Sequence, residues 1–279
     1  MARGFYYFQK LNVPTKMSLD YQKNIILAKI LNLEVVEIIG FDITNLNQFQ
    51  KNEYADKVKQ LESGIPLDYV LGEVVVGDLK LELNNKTLIP REETEYWIKE
   101  LKQKFVNSKT KSLVDLGCGC GLIGLSLANL FHKVILIDLE PECIRITQKN
   151  AKSNEITNVE VLQSNGLKSL NPEIRDWILV SNPPYLPTDD KNLAIQNKVN
   201  YEPALALYSG LDGLDLFRKI ILYIKEFQNP PTSMYFELDP RNINIARDFL
   251  QKNLCNYESV TKKDLNGLKR FLECEIILE

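Results

Sequence analysis

Ser181-Asn182-Pro183-Pro184-Tyr185 holds the densest chemistry in this sequence. Tandem prolines stiffen a backbone and remove two N–H donors, so the Pro183 carbonyl points in one direction with no competing ladder bond. Asn182 adds a side-chain carbonyl as a second acceptor. Two oxygens at fixed spacing can grip both hydrogens of a planar NH2 group, and Tyr185 offers an aromatic face for a planar substrate. This pattern suits methylation of an amide or amine nitrogen. An amide nitrogen is a poor nucleophile because its lone pair is delocalised into the carbonyl. Acceptors on its hydrogens favour the pyramidal, developing-positive nitrogen of the transition state, so position and electrostatics carry the catalysis. No strong general base is needed first, because the proton can leave after attack. A proline turn closing a strand would explain the same residues without any chemistry, and a second motif weighs against it.

That motif is Val114-Asp115-Leu116-Gly117-Cys118-Gly119-Cys120-Gly121. It reads as a strand running into a helix. Glycines there admit positive φ and let a ligand touch the backbone, where N–H groups point outward. Asp138 closes the next strand, about 20 residues on, where a carboxylate can accept both ribose hydroxyls. A nicotinamide dinucleotide fits the same outline, but its G-x-G-x-x-G pattern requires glycine where Leu122 stands. Asp115 would also repel a pyrophosphate, whereas it suits the cationic sulfonium and ammonium of S-adenosylmethionine. The expected cofactor is therefore S-adenosylmethionine, and no metal is expected.

These two motifs need a scaffold, and the hydrophobic pattern supplies one. Apolar runs at Ser112–Leu116, Lys133–Asp138, Val159–Leu162, Trp177–Val180 and Ser233–Leu238 read as strands covered on both faces. Helical stretches at about 141–153, 214–227 and 240–253 fill the gaps between them. Tyr257–Val260 and Phe271–Leu278 are placed to close an antiparallel edge. The fold class is α/β, a doubly wound, Rossmann-like methyltransferase domain. Ahead of it, residues 18 to about 64 read as helical, with Ile26, Leu27, Ile30 and Leu31 on one apolar stripe and Tyr54, Val58 and Leu61 on another, the second ended by Gly64 and Pro66. Val74-Val75-Val76, Gly77-Asp78 and the alternating Leu79, Leu81 and Leu83 form a hairpin pattern. A further helix is expected from about Glu92 to Phe105, just after Pro90. The reading divides the chain into a helical substrate-recognition domain at 1–72, a β-hairpin linker at 73–87 and a catalytic domain at 88–279.

Composition narrows the function classes. The net charge of −3 argues modestly against a stable nucleic-acid partner, which usually meets a basic surface. The single histidine, His132, leaves little scope for Ser-His-Asp or Cys-His catalysis, and its position between a helix and a strand suits a structural role. The five cysteines (Cys118, Cys120, Cys143, Cys255 and Cys274) form no paired framework and read as reduced thiols. No apolar run is long enough for a membrane helix. A cytoplasmic monomer is expected. Arg3, Lys10 and Lys16, with no acid before Asp20, leave a mitochondrial address as the alternative.

Beyond these motifs, the sequence resembles the release-factor glutamine methyltransferases, the PrmC/HemK group, along nearly its whole length. Gly64–Glu73 looks like the family's G-x-P-L-x-Y-x-x-G segment, and Leu88–Glu95 like its L-I-P-R-x-x-T-E signature. Tyr201–Leu207 and Gly210–Asp215 are similar to its Y-E-P-x-x-A-L and G-x-D-G-L-D run, and Asp264–Arg270 to its D-x-x-G-x-x-R motif. The resemblance implies a five-helix-like N-terminal domain, a hairpin and a catalytic α/β domain. It implies methylation at N5 of the glutamine in the Gly-Gly-Gln motif of a class 1 peptide-chain release factor. The cofactor residues it implies are Gly117, Cys118, Gly119, Cys120, Gly121, Asp138, Asn165 and Gly166, with Asn182 at the junction. The substrate residues are Asn182, Pro183, Pro184 and Tyr185, of which Asn182, Pro183 and Tyr185 would be catalytic. Cys118 and Cys120 stand where the family often has Thr or Ser, and Asn165 where it often has Asp, a stronger acceptor. Two other readings stay open at this point: a nucleic-acid amino methyltransferase acting on adenine N6 or guanine N2, and a non-enzymatic binding protein on the same scaffold.

Overall fold

The computed structural model describes residues 17–189 and 201–277, so the first 16 residues, on which the mitochondrial reading falls, lie outside it. The chain forms two compact units, Met1–Val75 and Val76–Glu279.

In the first unit, α1 (Leu19–Leu31) starts where the Ser18 hydroxyl accepts the Tyr21 N–H at 3.2 Å, and stops at Asn32 in the left-handed region. α2 (Gln48–Glu62) opens with a reciprocal Asn47–Gln50 capping box. The apolar stripe expected on α1 forms: Leu27 and Ala28, with Leu31 partly buried beside them, pack with Ile38 and Leu46, and Ile26, with Ile30 partly buried beside it, packs with Leu61 and Val70. Two features differ from the sequence reading. Residues 35–38 and 43–45 are 3-10 turns rather than continuous helix. Pro66 does not simply end a helix: it caps α3 (Leu67–Leu71), where a missing N–H costs nothing.

The hairpin forms as expected, with β1 (Glu73–Val76) paired to β2 (Leu79–Glu82) through Gly77 at φ 57°. The division between the units falls inside β1 rather than ahead of it. β2 is tied to α6 (Pro141–Ser153), where Asn150 Oδ1 accepts the Glu82 N–H at 2.8 Å and Asn154 Oδ1 that of Lys80 at 3.0 Å.

The second unit is built on seven strands: β3 (Ser112–Leu116), β4 (Lys133–Asp138), β5 (Val159–Gln163), β6 (Trp177–Ser181), β7 (Ser233–Glu237), β8 (Tyr257–Lys263) and β9 (Lys269–Ile276). They lie in the order β5-β4-β3-β6-β7-β9-β8, with β9 antiparallel to both neighbours and the rest parallel. Helices α4 (Glu92–Lys104), α5 (Leu122–Leu127), α6, α7 (Ala204–Leu207), α8 (Asp215–Lys225) and α9 (Ile243–Asn253) accompany the sheet. Continuous apolar strands are what such a sheet needs, and β6 and β7 are buried at every residue. Trp177, Phe217, Ile221, Phe236 and Leu250 anchor the larger core, each contributing roughly 1.5–3 kcal/mol by leaving water. Helix α9 starts three residues later than the periodicity predicts. Asp239 accepts the Arg241 N–H at 2.8 Å through Oδ1 and the Asn242 N–H at 3.1 Å through its carbonyl, so 239–242 form a turn first.

The strand order sets the place for chemistry. From β3 the chain moves outward through β4 to β5; it then returns to the other side of β3 and moves outward again through β6 and β7. A crevice opens at the carboxyl ends of β3 and β6, where the direction of winding reverses. Among the described residues, no helix is long and apolar enough to cross a membrane, and no group of three or more His, Cys, Asp or Glu is placed to hold a metal.

Candidate active site

The strand register brings the two motifs together. Leu116 pairs with Ser181 in adjacent parallel strands, so residues 117 and 182 leave the sheet side by side. The Ser181 hydroxyl donates to the Leu116 carbonyl at 2.6 Å and fastens the junction. A Cβ placed on Gly117 would lie 4.0 Å from the Asn182 carbonyl oxygen. The same edge carries the other expected residues. Leu116 pairs with Ile137 and Asp138 with Gln163, so Asp138 follows next in the row and Asn165-Gly166 after it.

The glycine loop is shaped by its own backbone. Gly117, Gly119 and Gly121 all have positive φ, at 76°, 57° and 87°. The Gly117 and Cys118 N–H groups both donate to the Ile137 carbonyl. A side chain on Gly119 would meet nothing within 4 Å, which leaves the crest open to a ligand. Gly121 is needed for another reason, since a Cβ there would come within 2.8 Å of Leu125 and 3.1 Å of Thr147. Cys118 and Cys120 are buried, and burial pushes both thiols up, Cys120 to about 12, so they stay protonated and inert. Their contribution to the crest is their backbone.

Asp138 is bound into this loop. Its Oδ2 accepts the Gly119 N–H at 2.9 Å and its Oδ1 the Glu140 N–H at 3.0 Å. Each carboxylate oxygen keeps a lone pair, as two ribose hydroxyls would require. Burial raises its pKa, and the backbone donors pull the other way. Asn165 is exposed, and the Ser164 N–H beside it donates to the Asp138 carbonyl at 2.9 Å. The open glycine cradle and the half-satisfied Asp138 carboxylate fit the ribose and methionine ends of S-adenosylmethionine.

Asp115 corrects the sequence reading. It does not stand on the crest facing a cation but is fully buried, with Oδ2 accepting the Gly124 N–H at 2.7 Å. Burial pushes its carboxyl up to about 7, with the Asp138 charge adding to the effect. It ties the end of β3 to the first turn of α5.

The 182–185 turn is held from several sides. Its last carbonyl, on Tyr185, accepts from Asn242 Nδ2 at 3.0 Å. Leu186 donates to the Leu207 carbonyl and accepts from Ser209, both at 2.9 Å. Behind the turn lies Glu237, at the end of β7 and wholly buried. Its Oε2 accepts from the Thr94 hydroxyl at 2.7 Å and its Oε1 from the Tyr185 hydroxyl at 3.4 Å. Thr94 in turn accepts from Asn182 Nδ2 at 3.4 Å. Arg270 stands nearby, its Nε on Asp264 at 2.8 Å. Ahead of α4, Arg91 pairs with the buried Glu202, whose Oε1 accepts the Ile89 N–H at 3.3 Å. The L-I-P-R and Y-E-P segments are thereby joined.

Glu237 and Asn242 carry no motif in the sequence, and Thr94 and Gly213 stand there as motif positions without an assigned role. Glu237 did leave one signal, an acid ending the otherwise uncharged strand Ser-Met-Tyr-Phe.

The family model described as methyltransferase small domain matches residues 93–210. The release factor glutamine methyltransferase of Borreliella burgdorferi is 35% identical over 231 residues, covering 82% of this chain and 79% of the relative. That of Francisella tularensis is 33% identical over 260 residues, covering 88% of this chain and 89% of its own. Among solved structures, the hMettl16 catalytic domain in complex with MAT2A 3′UTR hairpin 1 superposes with a TM-score of 0.60 over 95% of this chain and 93% of its own. At 12% identity that likeness shows the α/β methyltransferase fold alone. On the strength of the two relatives' identity and coverage, the chain belongs to the release factor glutamine methyltransferases, which use S-adenosylmethionine as methyl donor.

Proposed function

We propose that this chain methylates N5 of the glutamine in the Gly-Gly-Gln motif of a class 1 peptide-chain release factor. One observation supports the assignment of its residues: the turn that begins at Asn182 leaves β6 beside the glycine crest that leaves β3, at the switch point of the sheet. The relatives' named activity supports glutamine over a nucleic-acid base as the acceptor.

When bound, S-adenosylmethionine supplies an electrophilic methyl group. The backbone of Gly117, Cys118, Gly119, Cys120 and Gly121, with Asn165 and Gly166, would hold it along the crest, and Asp138 would take the ribose hydroxyls. The Asn182 side-chain carbonyl and the Pro183 carbonyl accept the two hydrogens of the glutamine amide. Pro184 keeps the turn rigid, and the Tyr185 ring covers the amide plane. Holding both hydrogens would fix the nitrogen lone pair in one direction and stabilise the positive charge that develops as the N–CH3 bond forms and the S–CH3 bond breaks, its electron pair staying on sulfur. The nitrogen would then give one of its two protons to water, which returns the amide to neutrality.

Mass spectrometry of a release factor incubated with enzyme and S-adenosylmethionine tests this reading. One added methyl on the Gly-Gly-Gln glutamine is expected, and an unmodified glutamine would refute it. Asp138→Ala is expected to weaken S-adenosylmethionine binding by about 10-fold to 100-fold, the worth of hydrogen bonds to a charged acceptor. Calorimetry returning the parent affinity would remove Asp138 from the cofactor site.

The helical domain at 1–72 serves to recognise the folded release factor. Its separate core and its lack of any crest residue support that role. Without it, KM for the intact factor is expected to rise about tenfold or more, the loss of roughly 1.4 kcal/mol of binding. An unchanged KM for a chain lacking residues 1–72 would dismiss the domain from substrate recognition. The reading has the enzyme acting as a monomer in the cytoplasm, a compartment that its bacterial relatives support.

A further inference from the structure

A hydrogen-bond chain runs behind the proposed acceptor pair and has a direction. Asn182 Nδ2 donates to Thr94 Oγ1, the Thr94 hydroxyl donates to Glu237 Oε2, and the Tyr185 hydroxyl donates to Glu237 Oε1. Thr94 is 3% exposed and Glu237 0%, so no bulk water substitutes for either partner. The direction matters because a carboxamide has an acceptor end and a donor end. With Thr94 committed to donating to Glu237, only its lone pairs face Asn182. The Asn182 NH2 must then point at Thr94, which leaves its Oδ1 for the substrate. If Glu237 Oε2 carried a proton, Thr94 would become the acceptor of that proton and turn its own hydrogen toward Asn182. The carboxamide would be stable only when flipped, presenting NH2 to an amide that also offers NH2.

We propose that Glu237, acting through Thr94, sets which end of the Asn182 carboxamide faces the substrate, so that Thr94 and Glu237 are positioning residues for the methyl transfer. This inference rests on the reading that Asn182 Oδ1 receives an amide hydrogen. The titratable and charged groups acting on Glu237 come from three elements: Glu93 beside Thr94 on α4, Tyr185 from the turn after β6, and Arg270 on β9; Arg91 and Asp239 act on Tyr185 in turn. Burial, the largest influence, raises the Glu237 carboxyl to about 7, against Thr94, Arg270 and Tyr185, which lower it. Its proton therefore leaves near neutral pH. At saturating cofactor, kcat is expected to rise with pH through about 7, where neither the glutamine amide nor the sulfonium titrates. Asp115, the other carboxyl raised to about 7, accepts the Gly124 N–H beneath the cofactor crest, so its titration is expected in cofactor affinity rather than in kcat.

The test is the pH profile of kcat on an intact class 1 release factor, measured for the full-length enzyme and three variants. Glu237→Gln keeps the shape of the side chain but cannot ionise. Its acid limb is expected to vanish, with kcat about tenfold below the parent plateau and S-adenosylmethionine affinity unchanged. Thr94→Val removes the hydroxyl at equal size and is expected to cost about tenfold in kcat, whereas Thr94→Ser stays within about threefold. An acid limb persisting in a folded Glu237→Gln enzyme, or parent turnover in Thr94→Val, overturns the proposal. Should Glu237→Gln not fold, the Thr94 pair decides it: loss with valine and rescue with serine supports it, and equal loss in both overturns it. A parent enzyme that leaves the release factor unmethylated fells the functional reading first, and this inference with it; an active parent with indifferent variants fells this inference alone.

Discussion

Asn182→Ala is expected to lower turnover on the release factor about 30-fold to 150-fold while S-adenosylmethionine affinity stays within about twofold. The expectation follows from what the side chain can do where it stands. Asn182 is half-buried at the end of β6, with its NH2 occupied by Thr94. Its carbonyl is one of the two acceptors that would hold the reacting amide. Losing one oriented acceptor at a developing positive charge costs roughly 2–3 kcal/mol of transition-state stabilisation. The cofactor crest keeps its form, because Gly117 and Cys118 bond to Ile137 and Gly119 bonds to Asp138, not to Asn182. The loss therefore belongs to kcat. Turnover within about threefold of the parent would mean that Asn182 does not hold the substrate.

The second large effect comes from a residue with no side chain. Gly213 has φ +79°, and a Cβ there would lie 2.1 Å from the Tyr185 carbonyl oxygen and 2.7 Å from its carbonyl carbon. Backbone cannot yield as the end of a flexible side chain can, and the same carbonyl is already held by Asn242 Nδ2. Gly213→Ala thus combines a left-handed alanine, costing roughly 1–2 kcal/mol, with an overpacked contact costing roughly 1–3 kcal/mol. A fall in Tm of roughly 4–20 °C is expected. Because the clash bears on Tyr185, displacement of the turn by about 1 Å is expected to cost about a hundredfold in turnover as well. Gly77→Ala is the control. That glycine also has positive φ, at 57°, but a Cβ there would meet nothing within 4 Å. It is expected to show the backbone cost alone and parent turnover. Equal thermal and catalytic losses in the two variants would mean that the packing of Gly213 on Tyr185 has no special weight.

Both predictions depend on adjacency rather than composition, and this marks what was legible in advance. Strands β3, β4 and β6 could be read within one residue of their ends because an apolar run covered on both faces is a local pattern. The glycine loop and the Asn-Pro-Pro-Tyr turn were likewise visible, since tight turns and rigid acceptors require particular residue types. Short-range signals that serve two elements are harder to place: Gly64 and Pro66 do follow the end of α2 at Glu62, but Pro66 also opens α3, and the Asp239 side-chain turn delays α9 by three residues within an apolar pattern that does not show it.

By itself the sequence determined the kinds of groups available: an α/β scaffold, a glycine crest with Asp138 after it, and a proline-stiffened pair of acceptors. Periodicity and turn chemistry act over a few residues, so they survive in a linear text. Only the tertiary structure decided which groups meet. Pairing of Leu116 with Ser181 set the two motifs side by side, and the same sheet carried Glu237 to within reach of Thr94, 143 positions away in the chain. It also took Asp115 off the crest and buried it against Gly124. The face to which a strand-end carboxylate turns depends on what packs over it, and that is a property of the folded core.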